Sequence, residues 1–190
     1  MVPQANNLRR AVFLDRDGVL NADKGYVFKV SDLMVLDGVP AALKKLKAAG
    51  FLLIVVTNQS GVARGLYTTS DVERFHVALT DAIEAKAGPH IDDYFYCPHH
   101  ESGSTAEFAI KCDCRKPEPG MLLAAAKKHG IDLSRSFIVG DKADDIEAGL
   151  RAGVTGIQVQ SSYGSPHPRA VQVVKSLAEA VPHICKAQEV

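Results

Sequence analysis

Two aspartates two residues apart, Asp15 and Asp17, follow the apolar run Ala11-Val12-Phe13-Leu14 and precede Gly18. Just past a strand end, both carboxylates can turn toward a common centre, where left alone they repel each other. A divalent cation removes that cost, and hard oxygen ligands suit Mg²⁺. Asp141, after Phe137-Ile138-Val139-Gly140, is placed to act as a third ligand, and Asp145 lies one helical turn further on. Thr57-Asn58-Gln59-Ser60-Gly61 supplies a hydroxyl, amide groups and a glycine-permitted turn of N–H donors, the groups that a phosphoryl oxygen needs. Lys116, within Arg115-Lys116-Pro117, adds a point charge opposite the aspartates.

Each feature alone has a plain structural explanation. An Asp-x-Asp after a strand is commonly a solvated loop or a helix cap, Thr-Asn is common turn chemistry, and a single lysine is commonly a surface lysine. Their order along one chain, each just after a predicted strand or before a helix, is what favours a shared phosphate and metal site.

A second cluster is soft. Cys97-Pro98-His99-His100 is followed after a loop by Cys112-Asp113-Cys114. Two pairs of ligands with one residue between members can surround one tetrahedral ion, so Cys97, His99, Cys112 and Cys114 are expected to bind Zn²⁺. His100 can replace His99 by spacing alone. Four protein ligands leave no open position, so the zinc is expected to be structural, ordering the loop at about 97–116 and positioning Lys116. The alternative is a set of reduced thiols in a flexible loop. Cys185 stands apart as an uninvolved thiol.

The elements that must hold these groups alternate. Strands are expected at Ala11–Leu14, Phe51–Val56, Tyr94–Tyr96, Ser136–Val139 and Gly156–Val159. A helix opens at Pro40 and is capped at Gly50, and another starts near Ser70, with Ser70 and Glu73 as a capping box. Further helices are expected over Gly120–Lys128, through Asp145 to Ala152, and over about 170–180. Phe51 to Val56 is apolar throughout, as a strand covered on both faces should be. The pattern implies an α/β fold with a doubly wound, Rossmann-like parallel sheet, whose ligands collect outside the carboxyl ends of the strands.

Composition bounds the rest. The chain has 190 residues with 22 basic and 22 acidic side chains, and 46% are hydrophobic. That length suits a single domain over 1–190 with its own core. The charge balance argues against nucleic acid as a partner, and the composition argues against disorder. Met1 to Arg10 contains no apolar block, and the longest apolar stretch is far short of a membrane span. A cytoplasmic, membrane-free protein is expected, and nothing demands an interface, so a monomer is expected.

Asp15-Arg16-Asp17-Gly18, the strand-terminal Thr57, Lys116 before a helix and Gly140 to Asp145 together resemble the four motifs of the haloacid dehalogenase superfamily of phosphatases. The resemblance runs from about Val12 to Val159. It implies that Asp15 attacks phosphorus to form an aspartyl-phosphate, and that Asp17 serves as general acid and then as general base. It implies that Thr57 and Lys116 hold the phosphoryl oxygens. Asp141 would bind Mg²⁺ together with Asp15 and the backbone carbonyl of Asp17. Many members carry Thr after Asp-x-Asp-Gly, a residue that orients the general acid in the family; this chain departs from that pattern with Val19, which bears on the support of Asp17 and not on its role.

Gly25-Tyr26, the run Thr57 to Gly65, and the two cysteine motifs resemble the zinc-loop branch that dephosphorylates sugar bisphosphates. This implies a compact enzyme without a large cap domain. Asp23, Lys24, Gly25, Tyr26, Asn58, Gln59, Ser60, Arg64 and Arg115 would face the substrate, with Arg64 and Arg115 as candidates for a second phosphate. The product would feed nucleotide-activated sugar for cell-envelope polysaccharide such as lipopolysaccharide. Histidinol-phosphate phosphatases carry similar motifs and are the alternative. A phospho-accepting receiver module and a zinc-dependent interaction module rank below both. The first has no place for a zinc loop, and the second leaves the aspartates unexplained.

Overall fold

A computed structural model describes residues 8–162 and 164–186. The expectation drawn from Met1 to Arg10 therefore lies, up to residue 7, outside the described residues. Strands β1 (Arg10–Leu14), β2 (Phe51–Asn58), β3 (Asp93–Cys97), β4 (Phe137–Gly140), β5 (Thr155–Val159) and β6 (Gln172–Val174) form one sheet in the order β3-β2-β1-β4-β5-β6. Every pairing is parallel. Helices α1 (Val39–Ala48), α2 (Thr69–Glu84), α3 (Gly120–His129), α4 (Ala143–Ala152) and α5 (Leu177–Lys186) cover its faces.

The alternation of a strand explains the two layers. Val12 and Leu14 point into one core with Leu43 and Leu46 of α1, Leu79 and Ile83 of α2, and Val181 and Ile184 of α5. Ala11 and Phe13 point into the other, with Leu122 and Ala125 of α3 and Ala148 of α4. Side chains that alternate across a strand need apolar partners on both sides, which is why β1 and β2 show no polar alternation. Each fully buried leucine here contributes about 1.5–3 kcal/mol relative to exposure.

Strand order reverses beside β1, between β2 and β4, and such switch points open a crevice at the carboxyl edge. The residues that leave that edge are Asp15, Thr57, Cys97 and Asp141.

Two expectations are corrected. The capping box of α2 is Thr68 with Asp71, not Ser70 with Glu73: Thr68 Oγ1 accepts from Asp71 N at 3.2 Å, and Asp71 Oδ2 accepts from Thr68 N at 2.8 Å. Both pairs share the spacing, and the extended backbone of Thr68 decides between them, because Ser70 already lies within the helix. The stretch expected as a helix over about 170–180 begins instead as strand β6, with α5 starting only at Leu177. Three residues are too few to show a periodicity, and pairing of Gln172–Val174 along β5 supplies what the local sequence lacks. No helix among the described residues is long and apolar enough to cross a membrane.

Candidate active site

The sheet delivers the first aspartate directly. Asp15 N donates to Val139 O at 2.9 Å, extending the β1–β4 ladder one residue past the strand. Gly18 then turns with φ +84, and a Cβ there would stand 2.7 Å from Asp141 Oδ2. The bare glycine backbone thus lets the Asp15–Gly18 loop close onto Asp141. At Gly140, a Cβ would collide at 2.1 Å with that of Asp145, so glycine also permits the start of α4 to fold over β4.

Lys116 sits at the centre of the cluster. Its Nζ donates to Asp15 Oδ1 at 2.8 Å and Val56 O at 2.7 Å, and lies 2.5 Å from Asp145 Oδ1. Burial works against its charge, but Asp145 and Asp15 outweigh burial and hold its pKa above the usual lysine range. Burial pushes the Asp15 carboxyl up, with Lys116 acting in the opposite direction. Asp145 Oδ2 accepts from Lys142 N at 2.9 Å, so one carboxylate caps α4 and neutralises the lysine.

Asp141 differs from these. Both its carboxylate oxygens are buried with no hydrogen-bond partner, while its main-chain carbonyl accepts from Ser161 Oγ at 2.8 Å and Gln158 Nε2 at 3.3 Å. Burial, followed by the neighbouring Asp15 charge, pushes its pKa up to about 7. An unpartnered buried carboxylate is costly unless a cation takes the vacant lone pairs. Asp15, Asp141 and Asp145 bring carboxylate oxygens within 4.8 Å of one another, so the donor set fits a hard divalent ion. The Asp17 carboxylate is not part of that group, and its expected share in the metal site rests on its main-chain carbonyl.

Asp15, Lys116 and Asp145 form the floor of a cleft of about 310 Å³, with Asp141 next to them but outside its lining. Its walls include Asp17, Asp23, Gly25, Tyr26, Asn58, Ser60 and Arg115, as the sequence led us to expect. Thr57 and Gln59 also line it, yet both are almost wholly buried. Thr57 Oγ1 accepts from Gln59 Nε2 at 2.9 Å, which leaves its own hydrogen for a phosphoryl oxygen. The Asn58 side chain is engaged at both ends: Nδ2 donates to Lys116 O and Oδ1 accepts from Lys116 N, each at 3.0 Å. It holds the lysine in register. Of the expected substrate-facing residues, Lys24 and Arg64 do not line this cleft. Lys24 is exposed, and Arg64 Nη2 meets His100 Nε2 at 3.2 Å.

Tyr67, Lys142 and Asp144 line the cleft without having been singled out. Lys142 and Asp144 flank the Asp141–Asp145 motif, so adjacency was an available signal. Lys142 reaches Asp23 Oδ2 at 3.4 Å across the mouth. Tyr67 carried no local signal: its ring stacks on Phe28 at 4.7 Å, a contact that only the fold creates.

The soft cluster closes as expected. Cys97, Cys112 and Cys114 place their sulfurs 3.1–3.5 Å apart, and His99 Nδ1 lies 3.4 Å from Cys114 Sγ and 3.7 Å from Cys97 Sγ. Tetrahedral N and S ligands about 2.0–2.3 Å from one ion stand roughly 3.5 Å apart, so these four fit zinc. The thiol hydrogen bond shared with Cys97, more than any other contact, depresses Cys114 to about 5, and the same contact raises Cys97. His99, not His100, meets the sulfurs; His100 Nδ1 accepts instead from Ser102 N. Arg115 and Lys116 follow Cys114 directly, so the cluster anchors the lysine that precedes α3. Cys185 packs elsewhere, against the core of α1 and α5.

Comparison with known proteins extends this geometry. Residues 113–180 match a family model described as "HAD-hyrolase-like". The chain is 43% identical over 186 residues to a D-glycero-beta-D-manno-heptose-1,7-bisphosphate 7-phosphatase of Yersinia pestis, an alignment covering 94% of this chain and 96% of the relative. The enzyme of that name from Escherichia coli strain K12 is 44% identical over 187 residues, covering 94% and 95%. Among solved structures, the D,D-heptose 1,7-bisphosphate phosphatase of B. bronchiseptica, complexed with magnesium and phosphate, superimposes with a TM-score of 0.80. It shares 31% identity, covering 94% of this chain and 99% of its own.

Proposed function

The chain belongs to the haloacid dehalogenase-like phosphatases, a family of phosphoric monoester hydrolases, and we propose that it removes the 7-phosphate of D-glycero-β-D-manno-heptose 1,7-bisphosphate. The heptose 1-phosphate released would enter nucleotide-heptose synthesis for cell-envelope polysaccharide. The observation that carries the reaction type is the buried Asp15–Lys116 pair at the floor of the cleft, with the unpartnered Asp141 beside Asp15 just beneath it. The substrate rests on the near full-length likeness to the named relatives.

A phosphate dianion repels a carboxylate nucleophile, so charge must be neutralised before attack. Lys116 supplies one positive charge and Thr57 one hydroxyl donor. Mg²⁺ held by Asp15, Asp141 and the Asp17 carbonyl would supply the remaining charge neutralisation and orient the phosphoryl group. Lys116 ties down Asp15 Oδ1, which leaves Oδ2 to bond phosphorus as the ester P–O bond breaks. Asp17 gives its proton to the departing sugar oxygen. The resulting Asp17 carboxylate then takes a proton from water as that oxygen bonds phosphorus. The bond from phosphorus to Asp15 breaks, inorganic phosphate leaves and both aspartates are restored. Two moderate steps replace one hard one.

The zinc cluster supports this site from outside the chemistry. Four protein ligands leave no coordination position for substrate, and their task is to fix Arg115 and Lys116. Arg115 lines the cleft and is the candidate partner of the second phosphate.

Histidinol phosphate is the competing substrate, and its amine calls for an acidic contact. Turnover of both heptose 1,7-bisphosphate anomers and of histidinol phosphate, each with and without Mg²⁺, tests the proposal. The β-bisphosphate is expected to show the highest kcat/KM, and only with the metal. A clear preference for histidinol phosphate would overturn the substrate assignment.

A further inference from the structure

The residue between the two motif aspartates is the largest wholly buried side chain of the molecule. Arg16 is 0% exposed, and its guanidinium lies 4.4 Å from the centre of the Phe75 ring. Its Nε donates to Asp17 Oδ1 at 3.1 Å and its Nη2 to Asp17 Oδ2 at 2.9 Å, a two-pronged grip on one carboxylate. Nη2 also donates to Val27 O at 2.7 Å. Burying a guanidinium carries a desolvation penalty, and here Nη1 is left without a hydrogen-bond partner. A planar fork against a carboxylate gives orientation as well as attraction, which a lysine cannot reproduce.

Two amides complete the grip. Asn21 Nδ2 donates to Asp17 Oδ1 at 2.9 Å, and Gln59 Nε2 to Asp17 Oδ2 at 3.2 Å. Gln59 is itself held, because Tyr67 Oη donates to its Oε1 at 2.8 Å while its Nε2 also reaches Thr57 Oγ1. Val19, two residues after Asp17, is buried in the core and has no side-chain donor.

We propose that Arg16, backed by the Tyr67–Gln59 pair, is a positioning residue for Asp17: it orients the carboxylate, and Gln59 gives up Oδ2 when that oxygen takes the proton that Asp17 transfers. The inference rests on the reading of Asp17 as acid and base. Gln59 accordingly acts on Asp17 and Thr57 rather than on the sugar, and Tyr67 acts one step further back.

Leaving-group dependence distinguishes positioning from a general structural role. A sugar alkoxide must be protonated as it leaves, whereas nitrophenolate leaves without help. Arg16→Lys is expected to lower kcat on the heptose bisphosphate about 10- to 100-fold with KM within about twofold. On p-nitrophenyl phosphate, its first-turnover release of nitrophenolate should stay within a few-fold of wild type. Slow hydrolysis of the aspartyl-phosphate should follow, visible as a burst. Asp17→Asn serves as the reference and should show the same pattern more strongly.

Wild-type kcat for Arg16→Lys beside an impaired Asp17→Asn would overturn the positioning role alone. Equal losses on both substrates in the first turnover, or a change confined to KM, would also overturn it. Undiminished turnover of the sugar ester by Asp17→Asn would instead overturn the acid–base reading beneath it. If circular dichroism shows Arg16→Lys to be unfolded, Tyr67→Phe decides, since it keeps the ring stack on Phe28 and loses only the hydroxyl. It should show a few-fold loss with the same leaving-group dependence, and an unaltered kcat would overturn the proposal.

Discussion

The two clusters whose donor sets fit a metal ion share the carboxyl edge of one sheet but are assembled in opposite ways. The acidic one gathers Asp15, Asp141 and Asp145 from the ends of two strands and the first turn of a helix, around a lysine from a third part of the chain. It concentrates like charges in a buried place and leaves Asp141 without a partner. The soft one draws all four ligands from the stretch between Cys97 and Cys114, and its thiols already bond one another. The first arrangement holds unfavourable electrostatics in readiness for a cation and a phosphate. The second is local and tethers a long loop. Losing metal should therefore act directly on the chemistry at one site, and on activity only through the stability of the loop at the other.

The largest expected effect removes the proposed nucleophile. Asp15→Asn should lower kcat by several orders of magnitude while the circular dichroism spectrum stays that of the wild type. Near wild-type phosphate release would refute the nucleophile and erase the functional half of the contrast.

Next comes the thiol cluster. Stripping zinc with a strong chelator, or replacing Cys112 with Ser, should lower Tm by several degrees and reduce activity even in saturating Mg²⁺. About one zinc per chain in the purified protein is the matching stoichiometry. A zinc-free sample of unchanged Tm and activity would show that the two clusters are uncoupled.

The acidic cluster should respond with the opposite sign. The Asp141 pKa is raised in the fold, from 3.8 to about 7. In metal-free protein its contribution to stability is thus fully present below about pH 4 and is lost as pH rises through 7. Above pH 7 the carboxylate is ionised and unpartnered, and Mg²⁺ relieves it. Added Mg²⁺ should therefore raise Tm more at pH 8 than at pH 5.5, with a stabilisation at pH 8 of up to ~2.7 kcal/mol at a hundredfold excess over its Kd. Asp141→Asn should stabilise the metal-free protein at pH 8 by about 1 kcal/mol, or roughly 2–4 °C, and abolish the response to Mg²⁺. A Tm indifferent to Mg²⁺ at both pH values would remove Asp141 from the metal site.

The smallest effect sharpens the ligand choice. His100→Ala should leave zinc content unchanged and stability within about 0.5 kcal/mol, whereas His99→Ala should release the metal. The reverse result would exchange the two histidines.

Much of this was legible before any fold was known. The Asp15-x-Asp17 pair, Thr57, Lys116 and Asp141 all stand at strand or helix boundaries that apolar runs and glycines mark. The cysteine pairs announce themselves by spacing. What escaped was decided by contacts between distant parts of the chain. Strand β6 forms because β5 offers it an edge, and α2 is capped by Thr68, two residues earlier than the Ser70–Glu73 pattern suggested. Asn58 and Gln59 carry polar amides that suit a sugar, yet the fold turns them onto Lys116 and Asp17.

The amino-acid sequence determined the types of chemistry available: hard carboxylates for a divalent cation, soft thiols for zinc, and unbroken apolar strands that must be buried on both faces. Those follow from side-chain chemistry and from periodicity along a few neighbouring residues. Only the tertiary structure decided that Arg16 grips Asp17, that His99 rather than His100 joins the sulfurs, and that Asp141 stays unpartnered. Each of these depends on direction and distance between groups far apart in sequence, which the packing of the sheet and its helices sets.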